Sequence, residues 1–197
     1  MSTGLIILAS LFVVPLFWGV SRFNAFVAAR NQMDNAFAQI DVQLKRRHDL
    51  VPGLVNATKA YLAHERDTLE AVTAARQRAV DAQGIAKRRV GSEGALAALT
   101  AAEGELVGQL GRLFALVEAY PALQADETVA RLTEELGSTE NRIAFARQAF
   151  NDQVLGYNNA IEVFPASIVA ALTGFRSASM MRATQDSVQR SVVPVAL

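Results

Sequence analysis

Two histidines, His48 and His64, and a complete lack of cysteine bound the chemistry that this 197-residue chain can perform. A helix-borne zinc protease needs two imidazoles one turn apart with a glutamate beside the first; His64-Glu65 begins such a pattern, but no second histidine completes it. Neither histidine has a ligand-like partner at metal spacing. No glycine-rich loop cradles a phosphate, no nucleophile elbow presents a serine, and the serines concentrate in termini and loops. Both histidines therefore read as surface residues. The chain reads as a non-enzyme with no metal and no cofactor.

Two polar constellations interrupt otherwise apolar helices. The first is Gln39 to Leu50, QIDVQLKRRHDL; the second is Glu140 to Gln148, ENRIAFARQ, followed by Asn151, Asp152, Tyr157, Asn158 and Asn159. As solvated faces they would supply i,i+4 pairs worth about 0.2–0.5 kcal/mol each. Alternatively, Arg142 or Arg147 reaches across to Asp34 or Asp41 and sets the register of the first and last helices. Buried pairs of that kind select a geometry more than they stabilise it.

The elements that position these residues start from Gly4 to Val20, GLIILASLFVVPLFWGV, a run without an ionisable side chain. At about 1.5 Å of rise per residue it covers roughly 26 Å, enough with Ser21 to Phe23 to span a bilayer core of about 30 Å. Trp18 and Phe23 sit near its exit, where interfacial aromatics are favoured, and Pro15 is tolerated more easily in lipid than in a soluble helix. A cleaved signal peptide and a buried core helix are the competing readings. The first is weakened by the lack of Lys or Arg ahead of the run, the second by its all-round apolarity. Arg22 and Arg30 follow the span and nothing basic precedes it. The positive-inside rule then puts the N-terminus outside and the large domain in the cytoplasm, a single-pass arrangement.

Lys plus Arg equals Asp plus Glu at 19 each, so no global field attracts nucleic acid. Abundant alanine, few prolines and no alternating strand pattern predict an all-α fold. Met33, Phe37, Ile40, Leu44, Val51, Val55, Leu62, Leu69 and Val72 form one helical stripe. Within it, the Pro52-Gly53 pair reads as a turn, while the nearly unbroken phase reads as a kink. Gly84 to Gly94 reads as a loop with Ser92 as the next N-cap. Leu96 to Tyr120 is a helix in which Gly104 and Gly108 suggest close packing. Pro121 stops it. Asp126-Glu127 starts a long helix with a stripe from Val129 to Phe164.

The boundaries that follow are an anchor at 1–22, a bundle at 23–164, an apolar segment at 165–175 and a polar flexible tail at 176–197. The apolar segment is too short to span a bilayer. It either caps the core or lies in the membrane interface through Ile168, Val169, Leu172 and Phe175. If Pro52 is a turn, four helices return this segment to the membrane; if it is a kink, three leave it far away.

QIDVQLKRRHDLVPGLV, ENRIAFARQAFNDQV and YNNAIEVFP followed by Gly174-Phe175 resemble the hallmarks of the LemA family, in the right order, from the anchor to about Phe175. Gly53 stands where that family usually has a polar residue such as Asn, and Phe150 where Tyr is common. The resemblance implies a bacterial inner-membrane protein with its N-terminus outside, a single span and a cytoplasmic antiparallel four-helix bundle, and so tips Pro52 towards a turn. It brings no catalytic residues. It includes a magnetosome-associated relative linked to membrane shaping, and family neighbours that are often membrane proteases. Two functions are thus expected: a self-associating scaffold that organises or shapes the membrane, with the lipid bilayer and its own copies as partners, or an adaptor that recruits a protein partner such as a protease or its substrate.

Overall fold

The computed structural model describes residues 2–62 and 64–181, and every regular element among them is an α-helix. Helix α1 (Ser2–Lys59) runs for 58 residues, without interruption, from the apolar stretch into the body of the protein. It is followed by α2 (Arg66–Arg88), α3 (Glu93–Ala119), the single turn α4 (Pro121–Gln124), α5 (Glu127–Glu162) and α6 (Ala166–Thr173). α1 packs on α5 and α2, α2 packs on α3, and α6 touches both α5 and α1. The four long helices make an antiparallel bundle on a protruding apolar rod. That rod, α1, is the one helix among the described residues long and apolar enough to cross a membrane. Leu11, Phe12, Leu16 and Phe17 are exposed along its N-terminal apolar stretch, so that stretch is not part of the core.

Pro52 lies inside α1, so the turn expected from the resemblance is not there. A proline at this position withdraws the N–H that would bond the carbonyl of His48. Arg76 of α2 takes its place, its Nε donating to the His48 oxygen at 2.6 Å. Four helices form all the same, because the chain reverses between Lys59 and Arg66. Thr58 is fully buried, and its carbonyl accepts from the N–H groups of both Tyr61 and Leu62. This tightens the last turn and drops Leu62 into the core. Neither glycine nor proline marks that reversal, and Leu62 stays in phase with the stripe, which is why periodicity reads straight through it.

The expected loop from Gly84 to Gly94 shrinks to Arg89–Ser92, with α2 continuing through Gly84. Gly91 turns the corner at φ +78°, where a Cβ would come within 2.8 Å of Ala178 Cβ; both conditions demand glycine. Asp126 caps α5, accepting from the N–H groups of Thr128 and Val129 at 2.9 and 3.1 Å. The α5 stripe is buried from Val129 to Ile161, but Phe164 beyond it is exposed. Gly108 faces open space, so it does not serve close packing within this chain.

The core comes in two parts. One, near the apolar rod, gathers Phe26, Phe37, Leu44, Leu99, Phe150 and Ile161; the other, at the far end, gathers Val51, Leu54, Val72, Leu113 and Val129. Phe37 and Phe150 meet edge to face across α1 and α5. α5 then carries the chain back towards the rod. There Phe175 packs its ring against Phe23 and Phe26, with centroids 5.7 and 5.4 Å apart. The segment after α5 thus lies beside the point where α1 leaves its apolar stretch.

Candidate functional site

Between the two halves of the core lies a layer of charge. Buried Arg47 and His48 come from α1 and buried Glu103 from α3, while Glu140 of α5 joins them from the exposed rim. Glu103 accepts from Arg47 Nη1 at 2.9 Å through one oxygen and meets His48 Nε2 at 2.7 Å with the other. A carboxylate that is ionised only accepts, so against it His48 would donate from Nε2. The other guanidinium nitrogen of Arg47 pairs with Glu140. His48 is 2% exposed, which corrects its expected place on the surface, and its Nδ1 has no protein partner. His64 is exposed.

This cluster ties three helices by charge-assisted bonds that depend on register. It places no nucleophile beside a base. Among the described residues no group of three His, Cys, Asp or Glu could hold a metal ion.

The two polar constellations do meet, through Arg47 and Glu140. Asp41 is turned to α2 instead: it accepts from Gln83 at 2.8 Å and pairs with Lys87 at 2.8 Å. Arg142 is exposed on α5, and Arg147 is half-buried there; neither pairs with Asp41 or with Asp34. Asp34 instead lines a surface cavity together with Arg30 and Arg89. A cross-link between the first and last long helices exists, but its sign is reversed: the arginine, Arg47, is on α1 and the carboxylate, Glu140, on α5. Glu103, spaced like any surface glutamate of α3, offered no signal; only its position between Ala102 and Leu106 on the inner face distinguishes it.

A second polar construction holds the chain after α6. The side chain of Asn158 both donates to the carbonyl of Ala178 and accepts from its N–H, at 2.9 Å each. Asn151 does the same for Met181, at 3.0 and 2.8 Å. Seven residues of helix rise about 10.5 Å, and three residues of extended chain advance about 10 Å, so the spacing of the two asparagines suits a segment running along α5. Tyr157 donates its hydroxyl to the Arg176 carbonyl at 2.8 Å, and Ser179 N–H reaches Gly91. Burial pushes the Tyr157 hydroxyl above its ordinary value of 10.0, against the pull of nearby Arg30. Residues 176–181, expected as the start of a flexible tail, are thus fastened to α5; the remainder of that expectation, 182–197, lies outside the described residues.

Of the residues expected to meet lipid, Ile168 and Leu172 are exposed, Leu172 at 83%, while Val169 and Phe175 are half-buried against the core. Phe164, just before α6, is 77% exposed. α6 buries Ala166 and Ala170 and turns Ile168 and Leu172 outward.

A family model described as the LemA family matches residues 36–196. The match starts after the apolar run and continues beyond Phe175, further than the motifs alone reach. Among curated proteins, the chain is similar to Magnetosome protein MamQ of Magnetospirillum gryphiswaldense, 32% identical over 170 residues, which cover 79% of this chain and 62% of the relative. It is also similar to Magnetosome proteins MamQ 2 and MamQ 1 of Paramagnetospirillum magneticum, each 30% identical over 172 residues, covering 80% of this chain and 63% of the relative. The chain therefore spans a little over three-fifths of the length of these curated relatives.

Proposed function

The chain belongs to the LemA family, and from that premise we propose that it is a non-enzymatic, membrane-anchored scaffold that self-associates and organises or shapes the bacterial inner membrane. The observation that carries this reading is the continuity of α1. The same helix supplies the apolar rod and, through Phe26, Phe37 and Leu44, one side of the bundle core. An anchor joined to its domain by a flexible linker would swivel freely; a helix shared by both transmits the tilt of the bundle to the bilayer. Relatives named as magnetosome proteins fit a role in building a compartment. The bundle would lie on the cytoplasmic side, the side favoured by Arg22 and Arg30.

Imaging full-length protein extracted with native lipid tests it. A homo-oligomer that persists on dilution, together with altered vesicle curvature, is the expected result. A strictly monomeric protein on vesicles of unchanged shape would overturn the reading.

One observation favours an adaptor as a second reading. Phe145 is 76% exposed in the middle of α5, lining a groove with Gln39 and Gln43 of α1, and Val42 is exposed on the same helix. An aromatic anchor of this kind suits a protein partner. Crosslinking in cells from Lys45, one turn from Val42, captures a heterologous protein under this reading and another copy of the chain under the first.

A further inference from the structure

At the end of the bundle nearest the apolar rod is a cavity of about 390 Å³ lined by Lys87, Arg88 and Arg89, and beside it a second of about 350 Å³ lined by Arg30, Arg89 and Arg176. The first contains the carboxylates Asp34 and Asp41, and Lys87 pairs with Asp41. The second differs: arginine supplies all its charge, and among the described residues none of its lining side chains is a carboxylate. Its other walls include Ser92, Tyr157 and Phe175. Arg30 and Arg89 also line the first cavity beside Asp34, but three arginines against that one neighbouring carboxylate leave positive charge over, which an anion would neutralise. Their planar forks fit the oxygens of a phosphate.

The position of the cavity identifies the source of that phosphate. Its Phe175 wall is the ring that packs on Phe23 and Phe26, directly after the apolar run. Along α1, Arg30 lies about 10 Å beyond Phe23 at 1.5 Å per residue, and helical side chains slope back towards the N-terminus. A long arginine side chain covers about half that distance, which brings its head to the headgroup layer, roughly 5–7 Å deep outside the hydrocarbon core. Close by, Phe164, Ile168 and Leu172 offer exposed apolar side chains to the same region of the molecule.

We propose that the Arg30–Arg89–Arg176 cavity binds the phosphate of an anionic phospholipid headgroup, giving the bundle a second contact with the bilayer beside α1. This rests on the reading of α1 as a membrane span.

Native mass spectrometry of the full-length protein, in detergent doped with equal phosphatidylglycerol and phosphatidylcholine, measures which lipid is retained. The expected result is preferential retention of phosphatidylglycerol by several-fold, lost in R30Q/R89Q/R176Q and weakened in R89Q, with thermal unfolding unchanged. Equal retention of the two lipids, or an undiminished preference in both variants, overturns the proposal. So does equal, arginine-dependent stabilisation by inorganic phosphate alone, which would assign the cavity to a free anion. In vesicles containing brominated lipid, the emission of Trp18, the single tryptophan, reports the span separately. Quenching of Trp18 without a lipid preference sinks the cavity alone; unquenched Trp18 sinks the span and the cavity with it.

Discussion

Removing the Glu103 carboxylate strands buried His48 without its Nε2 partner and leaves buried Arg47 with only the exposed Glu140. Breaking a buried pair by deleting one member costs about 3–5 kcal/mol, so E103A should lower the urea midpoint of unfolding accordingly. Replacing the buried members together, as R47M/H48L/E103L, should recover that stability, because apolar residues need no compensation for lost water. A triple variant as unstable as E103A would show that the layer supplies net stability rather than register. Tyr157 gives a residue-scale prediction in pH. Its folded pKa is raised, so the stability it contributes is fully present below about 10, the unfolded value, and is lost as pH rises through the folded value. Unfolding of wild type and Y157F, compared from pH 8 upwards, should show an extra alkaline loss in the wild type alone. Little of this was legible beforehand: a histidine flanked by Arg47 and Asp49 looks solvated, and only helix packing turns it inward.

Elements were read more surely where local chemistry marks them. Asp126 starts α5 as its type predicts, and the apolar stripe of α5 is buried almost throughout. The error came where a strong local signal was overruled from outside. Pro52 reads as a break because its ring cannot supply a backbone donor, yet Arg76 satisfies the carbonyl left over and the helix continues. A double-mutant cycle tests this account. R76A should destabilise by about 1–3 kcal/mol, the cost of a buried acceptor left unpaired or of a charged hydrogen bond lost. In a P52A background, where alanine restores the N–H, the same substitution should cost clearly less. Additive effects would disconnect Arg76 from the proline. The reverse error occurred at Thr58 to Leu62, where a true reversal carries no glycine or proline and the hydrophobic phase is unbroken.

For the whole molecule, the consequence of sharing α1 is mechanical. Inserting a Gly-Ser-Gly-Ser segment after Ser21 should leave the thermal unfolding of the bundle close to that of the parent, since both core clusters begin beyond that point. It should abolish any effect on vesicle shape, because a flexible segment no longer transmits tilt. Unchanged reshaping would assign the effect to crowding by the bundle. From order and composition alone come the apolar rod, the all-helical class, the inward stripes and the family motifs, since each is set by neighbours within a few turns. Whether four helices or three, which charges are buried, and where the chain after α6 comes to rest were decided only by packing. Arg47 meets Glu103, Arg76 meets His48, and Asn158 meets Ala178 across gaps in sequence that no local pattern encodes.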